Sequence, residues 1–109
     1  MPLSEKVKEI ISKTIENGSR GLDLAWNKIG DEGVTALAEE LKQMPNLTYL
    51  NLGDNFIGDE GVMALAGVLK QMPNLTYLSL LWNKIEKEGA TALAAELKQM
   101  HSLTSLNLA

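Results

Sequence analysis

The chain repeats with a period of 28 residues. Asn27, Asn55 and Asn83 stand in register, as do Ile29, Ile57 and Ile85, and Gly33, Gly61 and Gly89. Leu-Thr-Tyr-Leu at 47–50 returns at 75–78 and, with one change, as Leu103-Thr104-Ser105-Leu106. Leu-Lys-Gln-Met begins at Leu41, Leu69 and Leu97. A unit of this size cannot enclose a core by itself. It buries its apolar face by stacking on its neighbours, which makes the chain a solenoid.

The unit from Leu47 to Asn74 shows the local logic. Tyr49-Leu50-Asn51-Leu52-Gly53 alternates leucine with polar or small residues, which predicts a strand with Leu47, Leu50 and Leu52 on the core side. Asp54 to Gly58 reads as a turn. Asp59 is expected to cap the following helix by accepting its free amides, and Glu60 complements the positive end of the helix dipole. Val62, Leu65, Ala66 and Leu69 recur at helical spacing and face the strand layer. Pro73 is expected to stop the helix. In the third unit Glu86-Lys87 replaces Gly58-Asp59, so its helix should start more weakly, and aspartate at 87 should restore stability.

Strand, turn and helix repeated with right-handed crossovers stack the strands in parallel. Neighbouring helices need about 8–10 Å and neighbouring strands about 4.8 Å. The expected fold is therefore a curved α/β solenoid, with a parallel sheet on the concave side and helices on the convex side. Asn27, Asn55 and Asn83 follow the strands, where the chain turns back over the core. A buried amide must find hydrogen-bond partners. One such amide per repeat predicts a structural ladder that bonds the backbone of adjacent turns.

The pattern Leu-x-Leu-x-x-Asn-x-Ile followed by Gly-x-x-x-Leu-x-x-x-Leu, read from Leu50 to Leu69, resembles a leucine-rich repeat. The period and the full helix resemble the ribonuclease-inhibitor-like subclass, and the repeats are similar to those of the NOD-like receptors. The resemblance covers residues 20–109. It implies a protein-binding scaffold that uses its concave face or rim, with a partner that the resemblance does not specify.

Residues 1–109 form one domain: a capping helix within 1–19, then three 28-residue repeats and a final strand within 20–109. Ser4 can cap the first helix, Val7, Ile10, Ile11 and Ile15 are expected to form its apolar face, and Asn17-Gly18 suits a left-handed C-terminal cap. After Leu106-Asn107-Leu108 no polar helix follows, so Leu106 and Leu108 are candidates for self-association. This end suggests an excised fragment, an engineered module, or a homodimer formed through the C-terminal edge.

Composition narrows the function. The chain has no cysteine, which excludes disulfides and thiol chemistry and fits a cytoplasmic location. Ten basic residues against fourteen acidic ones give a net charge of −4, and no concentrated basic face favours nucleic acid. No apolar run approaches the ~20 residues of a membrane span. The single histidine, His101, fills the slot of Pro45 and Pro73 and gathers no catalytic partners. No phosphate loop appears, and no cofactor or metal is expected. The chain reads as a non-enzyme.

Positions that change between repeats mark the candidate surface. They are Asp23, Asn51, Ser79 and Asn107, then Ala25, Gly53 and Leu81, both sets expected to face outward from the sheet. Trp26, Asp54 and Trp82 follow at the strand exits, on the ascending rim. Aromatic residues in such places are common interface anchors. The candidate protein-binding residues are Trp26, Tyr49, Asp54, Tyr77, Leu81 and Trp82. The alternative is a structural building block that assembles through its last strand without an external partner.

Overall fold

A computed structural model describes residues 3–108; residues 1, 2 and 109, the extremities of the expected domain, lie outside the described residues. The order is α1 (Glu5–Asn17), β1 (Gly21–Asp23), α2 (Gly30–Leu41), β2 (Tyr49–Asn51), α3 (Asp59–Leu69), β3 (Tyr77–Ser79), α4 (Lys87–Leu97) and β4 (Ser105–Asn107). The strands form one parallel sheet in the order β1-β2-β3-β4. Leu22 pairs with Leu50, Leu50 with Leu78 and Leu78 with Leu106, so the period in sequence is also the register of the sheet. The result is an α/β solenoid, with the sheet on the concave side and α2, α3 and α4 stacked on the convex side.

The core lies between these layers. Leu22, Leu24, Leu50, Leu52, Leu78 and Leu80 enter it from the strands, and Leu37, Leu41, Leu65, Leu69 and Leu93 from the helices. Lateral hydrogen bonding continues past the strands: Leu52 N donates to Ser79 O at 2.9 Å and Asp54 N to Leu81 O at 2.7 Å. The rim residues are thus held by neighbouring turns rather than left as free loops.

Helix starts differ from the sequence expectation. Asp59 is the first residue of α3, not its cap, and Gly58 takes the cap position. The carboxylate at the start of α3 comes from the preceding repeat. Asp31 Oδ1 accepts from Gly58 N at 2.6 Å and from Gly61 N at 3.1 Å. Asp59 in turn accepts from Glu86 N at 2.7 Å, at the start of α4. Each aspartate serves the next helix, because stacked helices place one first turn beside the next. Asp59 thus reaches the start of α4 from the preceding repeat, but with one such bond against the two that Asp31 makes at α3, and Lys87 replaces a residue that would point forward.

This arrangement explains Gly61 and Gly89. A Cβ on Gly61 would stand 2.5 Å from Asp31 Oδ1 and 2.7 Å from Val34 Cγ1, and one on Gly89 would stand 2.5 Å from Asp59 Oδ1. Either side chain would displace the aspartate that holds the helix start.

Helix ends also differ. α3 stops at Leu69, before Pro73, in tightened turns: Gln71 N donates to Val68 O at 2.9 Å and Met72 N to Leu69 O at 3.0 Å. α4 ends at the equivalent Leu97 although His101 stands in the proline slot. Proline is therefore not what stops these helices. Burial of Met72 beneath the turn accompanies the exit of the chain.

α1 covers the first repeat. Val7 N donates to Ser4 Oγ at 3.2 Å, and Gly18 closes the helix at φ 64°. Leu3, Val7 and Ile11 are buried and Ile10 is half-buried. Ile15, expected on the inner face, is exposed. Thr14 turns inward instead, its hydroxyl donating to Ile10 O at 2.8 Å, because 3, 7, 11 and 14 follow the helical stripe more closely.

Packing thins toward β4. Leu97, Met100, Leu103 and Leu106 are only partly buried, whereas the equivalent Leu69, Met72, Leu75 and Leu78 are fully enclosed. Leu108 is exposed.

Candidate functional site: sheet face and ascending rim

Three rows of outward side chains run across the repeats. The first is aromatic. Tyr49 and Tyr77 occupy paired positions of β2 and β3, and their rings stack at 4.6 Å with planes 6° apart. Both ends of the stack are braced. Tyr49 lies over Gly21, whose Cβ would approach Tyr49 Cδ1 at 3.7 Å, and Tyr77 Oη accepts from Asn107 Nδ2 at 3.1 Å. The pair is half-buried and forms a flat, rigid patch.

The second row is committed to the backbone. Asp23 Oδ1 accepts from Ala25 N at 3.1 Å, Asn51 Oδ1 from Gly53 N at 3.0 Å and Ser79 Oγ from Leu81 N at 3.4 Å. Each side chain closes its own turn two residues on. Ser79 is also only 2% exposed, which corrects its placement on the open face. A short side chain between longer neighbours is covered by them. Gly53 is buried too: its Cβ would meet Leu81 Cβ at 3.9 Å, so Leu81 packs across it and is itself half-buried.

The third row is the rim. Trp26 is 69% exposed and Trp82 65% exposed, yet their rings meet edge to face, centroids 6.1 Å apart and planes at 75°. Asp54 occupies the position between them. All three backbones are left-handed, with φ of 64°, 53° and 55°. For a bulky residue this region is sterically costly. Two residues on, Lys84 Nζ lies 5.5 Å from the centroid of the exposed Phe56 ring. Sequence registration places these residues at common positions. It gives no signal for the ring contact between repeats one and three, or for the lysine over the phenylalanine.

Beneath the rim lie the asparagines. Asn55 Oδ1 accepts from Asn27 N at 2.9 Å and Ile29 N at 3.2 Å, while its Nδ2 donates to Leu24 O, Leu52 O and Gly53 O. Asn83 repeats this one unit on, accepting from Asn55 N and Ile57 N and donating to Leu52 O, Leu80 O and Leu81 O. Asn27 donates to Leu24 O and Ala25 O. Asn55 and Asn83 each join two turns and fix the height of the rim above the core, while the Asn27 side chain bonds within its own turn. The side-chain donors and acceptors of Asn55 and Asn83 are used internally and are not presented to a ligand.

Among the described residues no group of histidine, cysteine, aspartate and glutamate is arranged to hold a metal ion. Among them, no helix is long and apolar enough to cross a membrane. Leu106 is half-buried on β4 and Leu108 lies just beyond it, on the opposite side of the molecule from α1.

Comparison with known proteins agrees with this geometry. The family profile described as Leucine Rich repeat matches residues 20–38, 43–66 and 71–94, more than half of the chain and one stretch for each full unit. A search of the curated proteins finds no significant match. Repeats of this family commonly serve as scaffolds for protein–protein contact, and the fold is generally non-enzymatic. Three matched units, a parallel sheet in 28-residue register and an asparagine ladder lead to one assignment: the chain belongs to the leucine-rich repeat family.

Proposed function

We propose that this domain is a non-enzymatic protein-binding module of the ribonuclease-inhibitor-like subclass, engaging a partner with its sheet face and ascending rim. A helix of eleven or twelve residues in each full unit supports the subclass. The observation that carries the binding reading is the rim. Two tryptophans stay largely exposed, touch each other and stand on costly left-handed backbone. Exposed, rigid aromatic groups beside polar neighbours are the usual anchors of interfaces. Tyr49, Tyr77 and Leu81 extend the patch along the sheet, and Asp54 adds charge within it. The stretches that the first two units share, Gly30 to Val34 with Gly58 to Val62 and Leu41 to Asn46 with Leu69 to Asn74, support a consensus-derived or recently duplicated array, in line with an engineered or excised module, and the absence of cysteine supports a cytoplasmic setting.

The test is affinity capture with three baits: wild type, Trp26→Ser/Trp82→Ser, and Met63→Ser on the helical side. Partners retained by wild type and Met63→Ser but lost by the rim variant support this function. Equal capture by all three would remove it.

A second reading rests on a different observation. The partly buried Leu97, Met100, Leu103 and Leu106 support self-association of this chain through β4. Sedimentation distinguishes the two: Leu106→Ser/Leu108→Ser would abolish a concentration-dependent dimer and leave rim binding intact. A monomer at high micromolar concentration would rule out the dimer.

A further inference from the structure

We propose that Trp26, Asp54 and Trp82 form a corner that receives the alkylammonium head of a lysine side chain, bare or methylated, on a partner protein. This rests on the protein-binding reading above and gives it a ligand chemistry.

The corner is built from the backbone upward. Trp26 N donates to Gly53 O at 3.0 Å and Asp54 N to Leu81 O at 2.7 Å, so the three residues run side by side across the rim. With neighbouring strands about 4.8 Å apart, the backbones at 26 and 82 are separated by roughly twice that distance. Their ring centroids are only 6.1 Å apart. The indoles therefore lean toward each other across the position of the shorter Asp54. The two indoles meet edge to face at 75°, which leaves their exposed faces at an angle to each other, and Asp54 holds the backbone position between 26 and 82.

Both elements favour a cation. The face of an indole carries negative π density, and an aromatic cage is the usual receptor for an alkylated ammonium. The carboxylate adds a full negative charge, and the net charge of −4 raises the local concentration of cations. The angle discriminates between cations. A flat guanidinium stacks along one face or pairs side-on with a carboxylate, whereas a rounded ammonium fills a right-angled corner.

The rest of the rim sharpens the assignment. Phe56 already has a cation, the chain's own Lys84 Nζ at 5.5 Å. Among the described residues no cation lies over either tryptophan, and both rings face solvent.

The experiment is a titration of ¹⁵N-labelled protein, following the two indole N–H signals, assigned with Trp26→Phe. The probes are tetramethylammonium chloride and acetylated, amidated trimethyllysine. Guanidinium chloride and the neutral isostere 3,3-dimethylbutanol are the comparisons, all at matched ionic strength. Saturable shifts of both indole signals with the ammonium probes, in the millimolar range, are expected, and weaker or absent shifts with the other two. Asp54→Asn retains a residue suited to left-handed backbone and should weaken ammonium binding roughly two- to fivefold, the effect of losing one exposed ion pair. Absence of a saturable shift, or an equal response to guanidinium or to the neutral isostere, would overturn the proposal. Partner capture that still depends on Trp26 and Trp82 would then remain, so the two readings fail separately.

Discussion

The carboxylate of Asp31 holds the amide of Gly61, thirty residues further along the chain, at 3.1 Å. It also accepts from Gly58 N at 2.6 Å, so one side chain from α2 organises the first turn of α3. Gly61 can approach this closely because it has no Cβ. Aspartate and glycine at 31 and 61 are thus one device that spans two repeats; Asp59 repeats the close approach to Gly89 and holds Glu86 N in place of the glycine amide.

Asp31→Ala should destabilise the domain by about 1–2 kcal/mol, the usual effect of losing a helix cap. For a chain of this size that corresponds to roughly 4–8 °C in melting temperature. Lys87→Asp should stabilise by about 0.3–1 kcal/mol at most, through the helix dipole alone, because no amide of a further described repeat lies ahead of it. Thermal unfolding followed by circular dichroism checks both. A gain from Lys87→Asp as large as the loss from Asp31→Ala would contradict the forward-reaching role.

Two glycines of one helix should respond in opposite directions to alanine. At Gly61 the new methyl would meet Asp31 Oδ1, Val34 Cγ1 and Ile57 Cγ2, all closer than 3.0 Å. The expected loss is about 1–3 kcal/mol, as for other overpacked sites. At Gly67 nothing lies within 4 Å of the added atom. Gly67→Ala should stabilise by about 0.5–1 kcal/mol through helix propensity. Urea midpoints of the two variants give the comparison directly.

The ladder asparagines should differ in importance. The Asn55 side chain makes five hydrogen bonds and is fully buried, while that of Asn27 makes two. Asn55→Ala strands several backbone groups and should cost more than about 3 kcal/mol, at about 1–3 kcal/mol for each unsatisfied group before relaxation. Asn27→Ala should cost distinctly less. Equal losses in denaturant titration would show that the ladder does not act through the count of shared bonds.

The tryptophan contact can be weighed by a double-mutant cycle on stability. Trp26→Ala, Trp82→Ala and the double variant should yield a coupling of about 0.5–1.5 kcal/mol, as for other edge-to-face pairs. A coupling indistinguishable from zero would mean that the rings do not hold each other in solution.

Much of this molecule is legible in its repeat. The period of 28 determines that leucines 22, 50, 78 and 106 align, that the strands run parallel, and that one asparagine per turn is available to satisfy the backbone. The reason is physical: alternation selects a strand, helical spacing selects a helix, and an incomplete core forces units to stack. Registering the repeats also marks the rim and sheet positions that vary.

The tertiary structure alone decided what passes between repeats. It assigned Asp31 and Asp59 to the helix ahead, turned Thr14 inward in place of Ile15, covered Ser79, and brought Trp26 to Trp82 across Asp54. A period states which residues are equivalent. It does not state how far a side chain leans, and a carboxylate or an indole is long enough to reach one turn further than its own repeat. The sequence by itself therefore determined the solenoid and its skeleton, while lateral offset between stacked turns decided the caps, the covered serine and the aromatic corner.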